Sequence, residues 1–268
     1  MSSLKSRLLV SAVGVPLLLW VVLAAPTIVM TLALMLLAGI AAEELMKCVG
    51  VKPHVYLRNW TMAAAMFSVG SYAVFEYSTA VIWTVYLVAI FIYAIVKAGE
   101  VKFLHITAGI FAAVVIPYSF SAFLRLEAAG FHRAYLLLPF ILSFACDTFA
   151  YIVGCSIGKH KLAPKVSPKK SVEGSVGGLL GNVLCGCIFV FVMNRWFGGT
   201  ISYGGMVLLA LVCGVVAQVG DLSFSLIKRE FGIKDYGKLF LAHGGVLDRF
   251  DSVLFVTPVI EIILGFMK

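Results

Sequence analysis

The sequence predicts an all-α integral membrane protein of about nine transmembrane helices with a cytoplasmic N-terminus. Three observations lead there. Hydrophobic residues make up 62% of the 268 and charged residues only 13%, against about 25% charged in an average soluble domain, and the mean hydropathy is +1.04. Runs of about 20 mostly apolar residues, the length that crosses a bilayer, recur along the whole chain. The lysines and arginines between those runs fall mostly on one side.

The apolar runs lie at roughly 8–25, 27–46, 59–75, 79–96, 103–124, 135–158, 175–197, 203–227 and 248–267. Lys5 and Arg7 precede the first. No small-residue cleavage site follows it, so it is expected to remain as a span and not as a removed leader. Pro16, Pro26, Pro117 and Pro139 read as kinks or span boundaries. Glu43 and Glu44 close the second run on the cytoplasmic side and read as solvated helix ends, with membership of the site as the alternative. In the seventh, Gly174 with Gly178 and Gly177 with Gly181 form small-xxx-small pairs, the pattern of close helix packing. With an N-terminus inside, the far side holds Arg125, Arg133, Arg195 and Lys268, and the cytoplasmic side holds the other 17 of the 21 Lys and Arg residues. The positive-inside rule favours that orientation, and nine spans put the C-terminus outside.

Composition also narrows the function classes. A net charge of +8 in a membrane chain reflects loops facing anionic lipid, so no nucleic-acid partner is expected. The six cysteines (Cys48, Cys146, Cys155, Cys185, Cys187 and Cys213) lie in or beside apolar runs without a CxxC pair, and read as small buried residues. No internal repeat is evident, which disfavours an inverted-repeat transporter. Residues 1–134 (spans 1–5) read as a membrane scaffold. Residues 135–268 (spans 6–9) read as the catalytic region, because they carry two basic loops, 159–174 and 228–247, each following a span with an aspartate.

Carboxylates inside apolar spans are costly and usually functional. Asp147 lies within span 6, Asp221 near the cytoplasmic end of span 8, and Asp248 and Asp251 open span 9 three residues apart, on one helical face. Carboxylates converging at one depth suit a hard divalent cation such as Mg²⁺, which leaves coordination positions for phosphate. Taken singly, each aspartate reads equally well as the partner of a nearby cation, Asp251 with Arg249 or Asp221 with Lys228. The basic residues Lys169, Lys170, Lys228, Arg229, Lys234, Lys238 and Arg249 supply the chemistry to hold a triphosphate. Asp221, Ser225 and Lys228 share a helical face, and the His243-Gly244-Gly245 turn offers backbone N–H groups to phosphate.

The segment Ser225–Asp251 closely resembles the signature of the phosphatidate cytidylyltransferase (CDP-diacylglycerol synthase) family. The matching positions are Ser225, Lys228-Arg229, Lys234-Asp235, Gly237, His243-Gly244-Gly245, Asp248-Arg249 and Asp251. Upstream, Asp147-Thr148, Ala150-Tyr151, Gly154, Ser167-Pro168-Lys169-Lys170-Ser171 and Glu173-Gly174 are similar to the same family. Leu241, Ala242 and Ser171 depart from its commonest residues. The resemblance implies an enzyme of the bacterial-type inner (plasma) membrane, a homodimer with its site facing the cytoplasm. It would join phosphatidate and CTP into CDP-diacylglycerol and pyrophosphate, with Mg²⁺ and a potassium-type monovalent cation (K⁺). By position, the implied metal ligands are Asp221 and Asp248, with Asp251 and Asp147 near them. Lys228, Arg229, His243 and Arg249 are the further catalytic candidates. Lys165, Ser167, Lys169, Lys170, Ser171, Ser225, Lys234, Gly244 and Gly245 are the substrate-binding ones. A CTP-dependent lipid kinase of the dolichol or phytol kinase kind is the nearest alternative, and an ion-coupled transporter a more distant one. The DGxxAR…GxxxD…D pattern of CDP-alcohol transferases is absent.

Overall fold

A helix lies over each of the apolar runs in the computed structural model, which describes residues 3–51, 54–72, 78–199, 201–240 and 244–267. In chain order these are α1 (Ser3–Leu23), α2 (Thr27–Cys48), α3 (Val55–Ser71), α4 (Ser78–Val96), α5 (Phe103–Ile110), α6 (Ile116–Ala128), α7 (Leu138–Ile157), α8 (Val172–Trp196), α9 (Tyr203–Glu230) and α10 (Leu247–Met267). A π-helical turn, Phe111–Val115, joins α5 to α6 into one continuous span. It stands just before Pro117, whose ring nitrogen cannot donate into a regular helical ladder. Pro26 precedes α2 and Pro139 opens α7, where a missing N–H costs nothing, whereas Pro16 and Pro258 sit inside α1 and α10.

The chain is an integral membrane protein. Among the described residues, seven helices are long and apolar enough to cross a bilayer: α2, α4, the α5–α6 span, α7 with the turn before it, α8, α9 and α10. Helix α3 has 17 residues, and the apolar segment of α1, Ala12–Leu23, is also shorter. One feature departs from the helical expectation. The basic loop after α7 contains a two-stranded antiparallel hairpin, β1 (Lys161–Ala163) and β2 (Ser167–Ser171).

The chain forms two compact units, and each gathers sequence-distant segments. The first comprises Met1–Arg125 and Glu230–Phe250. Its core packs Met46, Leu57, Tyr86, Ile90 and Ile106, with Phe231 against them. The buried Tyr86 hydroxyl is satisfied by Thr61 at 2.6 Å. The second comprises Leu126–Arg229 and Asp251–Lys268. Here the glycine pairs of α8 do what their spacing implies. A Cβ on Gly174 would stand 2.6 Å from the Ala150 carbonyl, and one on Gly178 would stand 2.8 Å from that of Cys146, so α8 lies directly on the backbone of α7. Gly220 does the same between α9 and α10, where a Cβ would meet the Asp251 carbonyl at 2.8 Å. These close approaches bring the polar positions of α7, α8, α9 and α10 to one another.

Candidate active site

A cavity of about 520 Å³ opens in the second unit where α7, the hairpin, α8 and α9 meet. Asp147 and Tyr151 come from α7, Lys161 from β1, and Lys169, Lys170 and Ser171 from β2. Gly174 and Ser175 come from α8, and Gln218 and Asp221 from α9. Local rules set most of these positions. Ser171 caps α8, its Oγ accepting the Gly174 N–H at 3.1 Å, a contact that contributes about 1 kcal/mol. Glu173 anchors the base of the hairpin, accepting the backbone N–H groups of Lys159 and His160 and lying 2.6 Å from His160 Nδ1. At the far end of α9, Arg229 Nε donates to the Val166 carbonyl in the hairpin turn at 3.3 Å. The basic hairpin is thereby held against both α8 and α9.

The charges in this cavity are arranged around Asp221. The Lys170 ammonium is ion-paired with its carboxylate, so Asp221 draws a cation from the neighbouring strand. Asp251, in α10, is 9% exposed and lies within charge–charge range of Asp221, Asp147 and Lys228. Its Oδ1 accepts the Ser252 N–H at 2.7 Å. Asp147 is exposed and Asp221 half-buried in the cavity lining, whereas Asp251 is buried outside it; like charges of this kind repel, and Lys170 and Lys228 offset that repulsion. Behind them, Gln218 accepts from the Ser175 hydroxyl and donates to the Ser175 carbonyl at 3.2 Å and the Cys146 sulfur at 3.7 Å.

Among the described residues no three His, Cys, Asp or Glu side chains form a ready-made metal cage. Mg²⁺ does not demand one. It keeps several waters and is commonly held by one or two carboxylates plus substrate phosphates. Mutually repelling carboxylates beside lysines therefore fit a cation that arrives with a polyphosphate.

The remaining expected residues are distributed as follows. Ser225 is buried in α9, Lys228 is half-buried in its last turn, and Arg229 is exposed. Lys165 is exposed in the hairpin turn, and Ser167 opens β2. In the first unit, Lys234 and Arg249 are exposed, whereas Asp248 is 8% exposed. Asp248 Oδ2 accepts two backbone N–H groups, from Tyr236 at 2.8 Å and from Gly245 at 2.9 Å. Gly244 adopts φ +86°, and a Cβ there would meet Asp248, which explains the glycine. His243, with Leu241 and Ala242, lies outside the described residues.

Sequence reasoning missed Ser175, Gln218 and Lys161. Gln218 carried a readable signal, a lone amide three residues before Asp221 in an apolar run, where intramembrane polar groups are costly. Glu44 is not a solvated helix end: α2 runs on past it to Cys48. It is 5% exposed and accepts backbone N–H groups from Val246 and Leu247. Glu43 is half-buried, pairing with Lys47 at 2.9 Å and with Arg58 of α3 at 3.6 Å.

A family model described as the cytidylyltransferase family matches residues 5–267. The chain belongs to the cytidylyltransferase family. Curated relatives include proteins named phosphatidate cytidylyltransferase from Staphylococcus haemolyticus (30% identical), Staphylococcus epidermidis (31%) and Staphylococcus saprophyticus (32%). Each match covers 172 residues, 64% of this chain and 64% of the relative. The cavity of this family member combines acidic and basic side chains.

Proposed function

We propose that the chain is a phosphatidate cytidylyltransferase, transferring CMP from CTP to phosphatidate to give CDP-diacylglycerol and pyrophosphate. The observation that carries this reading is the cavity in which Lys170 pairs with Asp221 beside Asp147, Lys161 and Lys169. It supports a site for a polyphosphate and its cation, within a family whose relatives bear that name.

In this reading a phosphatidate oxygen attacks the α-phosphorus of CTP. A new P–O bond forms as the bond to the β-phosphate oxygen breaks, and pyrophosphate leaves with that electron pair. A phosphate monoester has its second pKa near 6, so the attacking oxygen is already anionic and needs no general base. The harder task is bringing two polyanions together. Lys161, Lys169 and Lys170 neutralise the triphosphate, and Lys170 exchanges its Asp221 contact for a phosphate contact as CTP enters. Ser175 and Gln218 line the same cavity and orient what enters it. Asp221 and Asp251, with Asp147 beside them, would hold Mg²⁺, which when bound supplies charge neutralisation and alignment of the attacking and leaving oxygens. The resemblance of its segment makes Asp248 a further candidate metal ligand. His243, Arg249, Lys228, Arg229, Lys234, Gly244 and Gly245 enter on the same resemblance, as does a potassium-type cation.

The finer membrane reading is part of the proposal: nine spans, N-terminus in the cytoplasm of a bacterial plasma membrane, the basic hairpin on the cytoplasmic face, and a homodimer. That arrangement lets CTP arrive from solution and phosphatidate from the bilayer.

Product analysis tests the reading. Purified protein with phosphatidate, Mg²⁺ and CTP labelled at the α-phosphate is expected to move the label into CDP-diacylglycerol and release pyrophosphate. Label remaining in CDP beside a newly phosphorylated lipid alcohol would instead make the chain a lipid kinase. Ion flux without CTP consumption would make it a transporter.

A further inference from the structure

The surroundings of Glu44 do not match its place in the sequence. It lies in an apolar helix, is 5% exposed, and reaches backbone 202 and 203 residues further along the chain. Oε1 accepts the Val246 N–H at 3.0 Å and Oε2 accepts the Leu247 N–H at 3.0 Å. Leu247 opens α10, so both donors belong to the group that a helix start leaves without intrahelical partners. In a capping box the N–H of the N-cap residue is taken by a Glu or Gln at N3. Val246 is the N-cap here and Arg249 occupies N3, so the acceptor for that N–H and its neighbour comes from α2.

The local glycines fit this arrangement. A Cβ on Gly237 or Gly245 would run into the Glu44 carboxylate. Alongside, Asp248 Oδ2 takes the N–H groups of Tyr236 and Gly245. Two buried carboxylates thus hold four backbone N–H groups of the 236–247 stretch, and their charge suits the positive end of the helix dipole.

We infer that Glu44 is a positioning residue of the proposed reaction. By capping α10 from α2, it fixes where that helix starts and which way its first turns face. Asp248 is the second residue of α10, so unwinding or rotating its start moves that carboxylate. The inference rests on the cytidylyltransferase reading of this aspartate. Displacing a catalytic constellation by about 1 Å can cost about 100-fold in rate.

Glu44→Gln tests it by keeping the shape and replacing one acceptor oxygen with an amide that cannot accept. Three quantities are measured on the full chain in detergent: hydrogen exchange at Tyr236, Gly245, Val246 and Leu247; the melting temperature; and kcat and KM for CTP. Exchange at Val246 and Leu247 is expected to rise about tenfold or more. The kcat per folded molecule should fall about 10- to 100-fold, with KM changing by less than about threefold. Glu44→Asp, which retains both oxygens, should recover part of the loss. A variant that melts earlier but keeps its kcat overturns the inference, as does unchanged exchange. Should Glu44→Gln fail to fold, Gly237→Ala, whose methyl group meets the same carboxylate, is read the same way. Wild-type protein with protected amides but no CDP-diacylglycerol product sinks the reaction reading and leaves the cap standing. An active wild type whose Glu44→Gln variant exchanges faster at unaltered kcat sinks the inference alone.

Discussion

Lys170 and Asp221 neutralise each other across the cavity, so either substitution leaves the partner charge uncompensated. Lys170→Ala is expected to lower kcat/KM for CTP by about 100-fold, the usual cost of removing one donor from a developing anion. Lys170→Arg should restore part of it, since the charge remains. Steady-state kinetics at saturating phosphatidate separates the two. An unchanged kcat/KM in the alanine variant would mean that Lys170 only offsets Asp221 and never meets the triphosphate. The aspartates were legible residue by residue, because a carboxylate in an apolar run is conspicuous. Their partners were not. Nothing in the spacing of Asp221 says that its cation comes from Lys170 on a strand. Glu44 was read as solvated because the N–H groups it satisfies lie 202 residues away or further.

At the scale of elements, the helices followed from runs long enough to cross a bilayer and from proline placed at their starts. The hairpin did not. Lys161–Ala163 and Ser167–Ser171 are short, polar and proline-punctuated, without the alternation that marks a half-buried strand. What holds them is tertiary: Glu173 at the base and Arg229 at the turn. The glycine pairs of α8 were readable because small residues at four-residue spacing have one main use in a membrane helix. Gly178→Leu places a side chain against the Cys146 carbonyl and is expected to cost about 1–3 kcal/mol through overpacking. Thermal unfolding in detergent should show a lowered midpoint. A wild-type midpoint would mean that α7 and α8 are not packed backbone to backbone.

For the whole molecule, fold class was legible because hydropathy alone separates a membrane chain from a soluble one. The gathering of residues 230–250 with the N-terminal helices, and of 251–267 with α7–α9, was not. Linear order carries no record of which helices pack together. Orientation remains a matter of charge bias and is directly measurable. Cys155 is exposed and lines the cavity. In a variant keeping Cys155 as its one cysteine, a membrane-impermeant maleimide should label inverted membrane vesicles and not spheroplasts. Mg²⁺ with CTP should slow that labelling about tenfold by mass action when CTP is near ten times its dissociation constant. Labelling of spheroplasts alone would reverse the proposed topology.

On the proposed reading, CTP and phosphatidate react in the cavity built around Asp221. Turnover of labelled CTP by wild-type protein and Asp221→Asn, matched for elution and melting behaviour, addresses it most directly. CDP-diacylglycerol is expected from the wild type, with a loss of at least about 100-fold in the variant that persists at saturating Mg²⁺. Near-wild-type turnover by Asp221→Asn under those conditions would contradict that reading.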